Sequence, residues 1–193
     1  MKKLNIILIL IWVSIMSFFS LQAIAPGETA ENFTLPDYNG KNHSLTDYQN
    51  QSAIVLIFVS TRCPVSNAYN ERMEKLFKEY SGKKVTFLGI NANRREDAAM
   101  IKTHCAENGI TFSVLKDEDN AIADKFGAKV TPEVFVLSPK LQLLYHGHID
   151  DSQRESQVKQ TGLKDALDSI LAGKAVADAV TKPFGCSIKR DRD

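Results

Sequence analysis

Seven apolar residues in a row, Ala53-Ile54-Val55-Leu56-Ile57-Phe58-Val59, run directly into Ser60-Thr61-Arg62-Cys63-Pro64-Val65-Ser66. A branched, uninterrupted run of that length reads as a strand covered on both faces, as in the middle of a parallel sheet. The segment after it, Asn67 to Tyr80, carries Tyr69, Met73, Leu76 and Phe77 at helical spacing on one face. Pro64 suits the first turn of a helix, where its missing N–H is not needed. Cys63 is therefore expected at a strand-to-helix junction, with the helix N-terminus at its sulfur. Unpaired N–H groups and the positive end of the helix dipole favour an anion there, and the thiolate is the reactive form of cysteine. Arg62 adds positive charge if its side chain turns to the sulfur. The plain alternative is a small apolar residue closing a core, but the place between Arg62 and Pro64 suits a nucleophile better.

The remaining chain reads as further strands and helices in alternation. Residues 26 to 52 are turn-rich, with a short strand at Asn32 to Leu35 and a hairpin turn at Asp37-Tyr38-Asn39-Gly40. Val85 to Ile90 is a second apolar strand, and Arg95 to Asn108 is helical in pattern. Thr111 to Leu115 is a strand, Asn120 to Phe126 a helix ended by Gly127. Val134 to Leu137 and Leu141 to Tyr145 form a tight antiparallel hairpin, and Gly162 to Leu171 is the last helix. The order β-α-β-α-β-α-β-β-α implies an α/β fold with a parallel centre, an antiparallel edge, and helices on both faces of a mixed sheet. Residues 174 to 193 show no periodicity and read as a loose tail.

The first 25 residues have another character. Lys2 and Lys3 precede an apolar stretch from Leu4 to Phe19, and Ala23-Ile24-Ala25 supplies the small residues an export peptidase reads. This is the pattern of a secretory signal peptide. It predicts a mature protein in the periplasm or outside the cell, without stable membrane insertion once the leader is cut; an uncut leader would anchor it. Pro26 is unfavourable just after the cut. The intact chain has 24 basic and 23 acidic residues, a net charge of +1. Removing the leader takes two lysines and no acid, which leaves 22 against 23, or −1. That balance offers no field for nucleic acid. Three cysteines, at 63, 105 and 186, make neither a disulfide framework nor paired zinc ligands.

Cys63 with Pro64, together with Thr131-Pro132 ahead of the hairpin strand, resembles a thioredoxin-like fold. The lead-in Phe33-Thr34-Leu35-Pro36-Asp37, with Gly40 and Ser44-Leu45, is similar to the redoxin branch, the alkyl hydroperoxide reductase and thiol-specific antioxidant family. Within it the chain looks most like exported peroxiredoxin-like proteins with Cys-Pro-Val and a late Gly-Cys-Ser-Ile-Lys, here Gly185 to Lys189. The resemblance spans residues 26 to about 172 and implies a redoxin domain with an N-terminal hairpin extension. It also implies a cis Pro132 packed beside Cys63, whose preceding backbone can pair with a substrate strand. The chain departs from its relatives in three places. Ser66 stands where thioredoxin-type proteins keep a second cysteine. Leu56 and Ser60 stand where typical peroxiredoxins have Pro and Thr. No arginine follows Pro132 on the strand.

The resemblance implies a thiol-dependent oxidoreductase in which Cys63 attacks a peroxide oxygen or a disulfide sulfur. Ser60 and Ser66 are candidates to hydrogen-bond its thiolate. An external thiol is the expected reductant, and no organic cofactor is required. Resolution falls to Cys186, beyond the last helix, or to Cys105, or to an outside partner. Cys105 shares an apolar helical face with Ala98 and Ile101, which suits a core residue better. The competing class is a thioredoxin-fold module that handles copper or zinc, or binds thiols, without turnover. His104, His146 and His148 prompt that reading, since His146 and His148 alternate on a strand. Glu133, Asp150 and Asp151 read as solvated carboxylates, with a proton-shuttling role as the alternative.

Overall fold

The computed structural model describes residues 23–190. The proposed leader falls outside the described residues except for 23–25. An N-terminal hairpin comes first, β1 (Thr34–Pro36) and β2 (Asn42–Ser44). Its loop is held by Asp37, whose Oδ1 accepts from the backbone N–H groups of Asn39 and Lys41 at 2.8 and 3.0 Å. There follow β3 (Ala53–Phe58), α1 (Pro64–Ala68), α2 (Asn70–Ser81), β4 (Val85–Asn91), α3 (Ala98–Glu107), β5 (Ser113–Lys116) and α4 (Ala121–Phe126). The chain closes with β6 (Val130–Thr131), β7 (Glu133–Leu137), β8 (Leu143–Gly147), α5 (Gly162–Leu171) and β9 (Cys186–Ser187).

The main sheet has the order β5-β4-β3-β7-β8. Strands β3, β4 and β5 are parallel, and β7 and β8 are antiparallel additions. Every residue of β3 is buried because this strand is central and both faces are covered. Ala53, Val55 and Ile57 point to one core with Met73, Ile101, Cys105 and Leu167, under α2, α3 and α5. Ile54, Leu56 and Phe58 point to a second core with Phe33, Ile122, Phe126 and Phe135, under α4 and the N-terminal segment. The continuous apolar run needs both cores, and α/β layering supplies them. Both cores are aliphatic and aromatic; in the second, the Phe126 and Phe135 rings meet edge to face at 5.2 Å between centroids.

Three elements differ from the sequence expectation. The helix after Cys63 is broken at Tyr69, whose N–H bonds the Ser66 carbonyl at 3.0 Å. Its ring lies 3.8 Å below the Arg72 guanidinium, and its hydroxyl donates to Asp150 at 2.8 Å. These tertiary contacts hold a position that the apolar periodicity alone assigns to one continuous helix. Helix α3 starts at Ala98 rather than Arg95, because Asp97 caps it by accepting from the Met100 N–H at 2.8 Å. The third difference is the tail, which is packed and not loose. Ile188 is buried in the second core, the Thr181 N–H bonds the His146 carbonyl at 3.0 Å while the His146 N–H bonds the Ala179 carbonyl at 2.9 Å, and β9 pairs antiparallel with β6.

Candidate functional site

The site lies where β3 ends. Cys63, in extended conformation, is the N-cap of α1, and its Sγ accepts from the Ser66 N–H at 3.3 Å. Pro64 occupies the first turn, as its geometry favours. Cys63 is 4% exposed. Its sulfur also lies 3.3 Å from the Thr131 carbonyl oxygen. The Thr131-Pro132 peptide bond is cis, as the sequence reading expects.

Cys63 is disulfide-bonded to Cys186, with a Cα–Cα distance of 5.9 Å. Two features bring the tail there. Thr131 and Cys186 are register partners in the β6–β9 ladder, so pairing with the strand before Pro132 delivers the sulfur. Gly185 then passes so close to the Thr131 carbonyl that a Cβ at this position would overlap it. Beyond Cys186, the Ile188 N–H bonds the Lys129 carbonyl at 2.9 Å, and the Lys189 N–H bonds Asn93 Oδ1 at 3.0 Å.

Ser60 and Ser66 are both beside the sulfur, but not as the expected hydroxyl donors to it. Ser60 Oγ accepts from the N–H groups of Arg62 and Cys63 at 3.1 and 3.0 Å and donates to Glu96 Oε1 at 2.6 Å. The Ser66 hydroxyl instead accepts from the Ser60 N–H at 3.2 Å, and it is the Ser66 backbone that reaches the sulfur. Both hydroxyls thus shape the loop that carries Cys63. Arg62 does not turn to the sulfur either. Its guanidinium contacts Met100 Sδ at 3.7 Å, because Ser60 holds the Arg62 backbone and leaves the side chain outside.

Glu96 is the buried site residue that sequence reasoning missed. Besides Ser60, its carboxylate accepts from the Thr61 N–H and Asn91 Nδ2, both at 2.6 Å. Within Arg94-Arg95-Glu96-Asp97 nothing in the pattern separates it from a solvated helix start. Only the turn ahead of Asp97 folds it under the β3–α1 loop. Glu133 and Asp150 are likewise buried and not solvated. Glu133 accepts from the N–H groups of Lys129 and Val130, which fixes the approach to β6, and contacts His146 Nε2 at 2.7 Å. Asp150 pairs with Arg72 at 2.5 Å. Asp151 is more open, and the N–H groups of Lys159 and Gln160 lower its pKa.

Cys105 sits in the first core, 4% exposed, and burial pushes its thiol up to about 11. The structure does not bring it to Cys63. Nor do the histidines gather there. His104 bonds Asn70 at 3.1 Å, His146 stacks on Phe135 at 4.2 Å between ring centroids, and His148 lies against Gly162. Both sulfurs open on a cavity of about 670 Å³ that Ser60, Glu96 and Thr131 also line.

Residues 26–146 match the model of the AhpC/TSA family, well over half of the chain. The chain belongs to the AhpC/TSA family. Members of this family are thiol-dependent oxidoreductases. Among curated relatives, the chain is 28% identical over 120 residues to the thiol-disulfide oxidoreductase ResA of Geobacillus thermodenitrificans, covering 62% of this chain and 67% of that one. It is 25% identical over 107 residues to the peroxiredoxin Bcp of Escherichia coli K12, covering 55% and 67%. A crystal structure of the protein SMc02350 from Sinorhizobium meliloti superposes with a TM-score of 0.81 at 29% identity, over 89% of this chain and 98% of that one. That agreement covers more of the chain than the matched family region.

Proposed function

We propose that this AhpC/TSA protein reduces a hydroperoxide, with Cys63 as nucleophile and Cys186 as resolving thiol. Cys63 thiolate attacks the distal oxygen of ROOH; the O–O bond breaks, a proton is taken up, and ROH leaves with Cys63 as sulfenic acid. The Cys186 thiol then attacks that sulfur, water leaves, and the Cys63–Cys186 disulfide forms. An external thiol returns both cysteines to the reduced state. The Ser66 N–H supports the thiolate, and the Thr131 carbonyl beside Pro132 is placed to accept a hydrogen bond from the neutral thiol.

The observation that carries the choice of oxidant is the pairing of β9 with β6. The edge before Pro132, where a substrate strand would add, is occupied by the protein's own tail. A peroxide needs only the cavity, whereas a protein disulfide would have to displace β9 and unseat Ile188. The same observation favours Cys186 over Cys105 as resolving residue. Export to an oxidising compartment is part of the proposal, supported by the leader-like first 25 residues. Among the described residues no helix is long and apolar enough to cross a membrane.

The test is stopped-flow oxidation of the reduced protein, with peptide mapping of the product. Hydrogen peroxide or a small organic hydroperoxide should yield the Cys63–Cys186 disulfide faster than an oxidised protein substrate does. Faster oxidation by the protein disulfide, through a mixed disulfide at Cys63, would assign the exchange chemistry named for ResA instead.

A further inference from the structure

The cavity over the disulfide has a strongly uneven charge. Five of its lining residues are basic, Arg62, Arg94, Arg95, Lys189 and Arg190, and one, Glu96, is acidic. The whole chain has a net charge of only +1, so this concentration is local. Glu96 is turned into the wall, where Ser60, Thr61 and Asn91 take up its oxygens. Arg190 pairs with Asp124 at 2.9 Å. Arg62, Arg95 and Lys189 are exposed at the cavity, and their contacts are with neutral groups where they have them: Met100 for Arg62 and Ser187 Oγ, at 3.2 Å, for Lys189.

The two sulfurs are unequal. Cys63 is buried, whereas Cys186 is half-buried and the more open to the cavity. The molecule is in its oxidised form, so the reactant this cavity awaits is a thiol. We propose that the cavity binds a small thiol bearing a carboxylate, held by Arg62, Arg95 and Lys189, as the reductant of the Cys63–Cys186 disulfide. This rests on the role of that disulfide proposed above. The bound thiolate RS⁻ attacks Sγ of Cys186; the S–S bond breaks and Cys63 leaves as the thiolate that the Ser66 N–H receives. A second thiol attacks the mixed disulfide, releasing RSSR and the Cys186 thiol, with one proton each supplied by the two thiols. Two electrons pass from two RSH to one protein disulfide. Attack at Cys186 is favoured because the better-stabilised thiolate is then the leaving group.

The test compares three monothiols as reductants of the oxidised full chain: 3-mercaptopropionate, 2-mercaptoethanol and cysteamine, with rates divided by thiolate concentration. At about 0.02 M salt the carboxylate should outrun the amine by about tenfold, and the gap should close at about 0.5 M salt, where screening is short-ranged. In the double variant Arg95→Glu, Lys189→Glu the order should invert. An unchanged order in the variant, or cysteamine fastest in the parent protein, would overturn the proposal. The salt series in the parent protein reads the same charge dependence without any substitution. Dithiothreitol separates the two readings. If it reduces Cys63–Cys186 while the monothiols show no charge order, only the acidic-thiol inference fails. If peptide mapping finds no such disulfide after peroxide, the proposed function fails with it.

Discussion

Thr131 and Cys186 face each other across the β6–β9 ladder, which sets the tail sulfur against Cys63 and the Thr131 carbonyl 3.3 Å from the Cys63 sulfur. One backbone pairing therefore positions the Thr131 carbonyl and the disulfide partner of Cys63 together. It also brings together two cysteines that are 123 residues apart in sequence.

Replacing either cysteine separates the two steps. Cys63→Ser should bring peroxide-dependent oxidation of an added thiol to background. Cys186→Ser should still consume one equivalent of peroxide, after which Cys63 persists as sulfenic acid or proceeds to sulfinic acid. Intact-mass spectrometry after peroxide reads both. A dominant Cys63–Cys105 bridge in the Cys186→Ser protein would show that the core cysteine resolves after all.

Gly185 is predicted to control how well the tail seats. Gly185→Ala places a methyl group on the Thr131 carbonyl, so β9 should lift from β6 at a cost of about 1–3 kcal/mol. The expected readouts are slower disulfide closure after peroxide and a more easily reduced disulfide in a dithiothreitol titration. Closure at the parental rate would mean that the ladder does not position Cys186.

Glu96 should matter to the shape of the Cys63 loop. Glu96→Ala strands the Ser60 hydroxyl, the Thr61 N–H and Asn91 Nδ2, and should cost about 2–3 kcal/mol in urea denaturation. Glu96→Gln keeps an acceptor and should recover part of it. Alkylation of reduced Cys63 should change in the same order if the carboxylate sets the loop geometry.

The Arg72–Asp150 pair joins α2 to the chain after β8, with Arg72 also donating to the carbonyls of Ser152 and Gln153 at 2.9 and 2.6 Å. Asp150→Ala leaves a buried guanidinium without its carboxylate and should destabilise by about 3–5 kcal/mol. Chemical denaturation of the single variant checks this. A loss below about 1 kcal/mol would place the pair among weak surface contacts.

Cys105 should give the fold an alkaline dependence. Its thiol ionises only near 11 in the folded protein against 9.0 ordinarily. The unfolded chain therefore releases the proton first. The stability this group contributes is full below pH 9 and falls as pH rises towards 11, by about 1–2 kcal/mol allowing for partial hydration. Cys105→Val should show a shallower loss over that window. Reduced parent protein should also alkylate at Cys63 well before Cys105 at neutral pH.

The sequence by itself determined the central strand, the junction at Cys63 and the alternating layers. Local chemistry decides each of these: seven apolar residues can only be buried on two faces, and Pro64 belongs in a helix's first turn. It also exposed Cys105 as a core residue through its apolar helical face. Tertiary structure alone decided the break at Tyr69, the inward turn of Glu96, the outward turn of Arg62 and the burial of Asp150. These depend on partners dozens of residues away, such as Asp150 for Tyr69 and Ser60 for Glu96. The tail is the plainest case. Two paired residues, Cys186 and Ser187, carry too little periodicity to register as a strand, and their order comes from an edge at β6 that exists only once the sheet has formed.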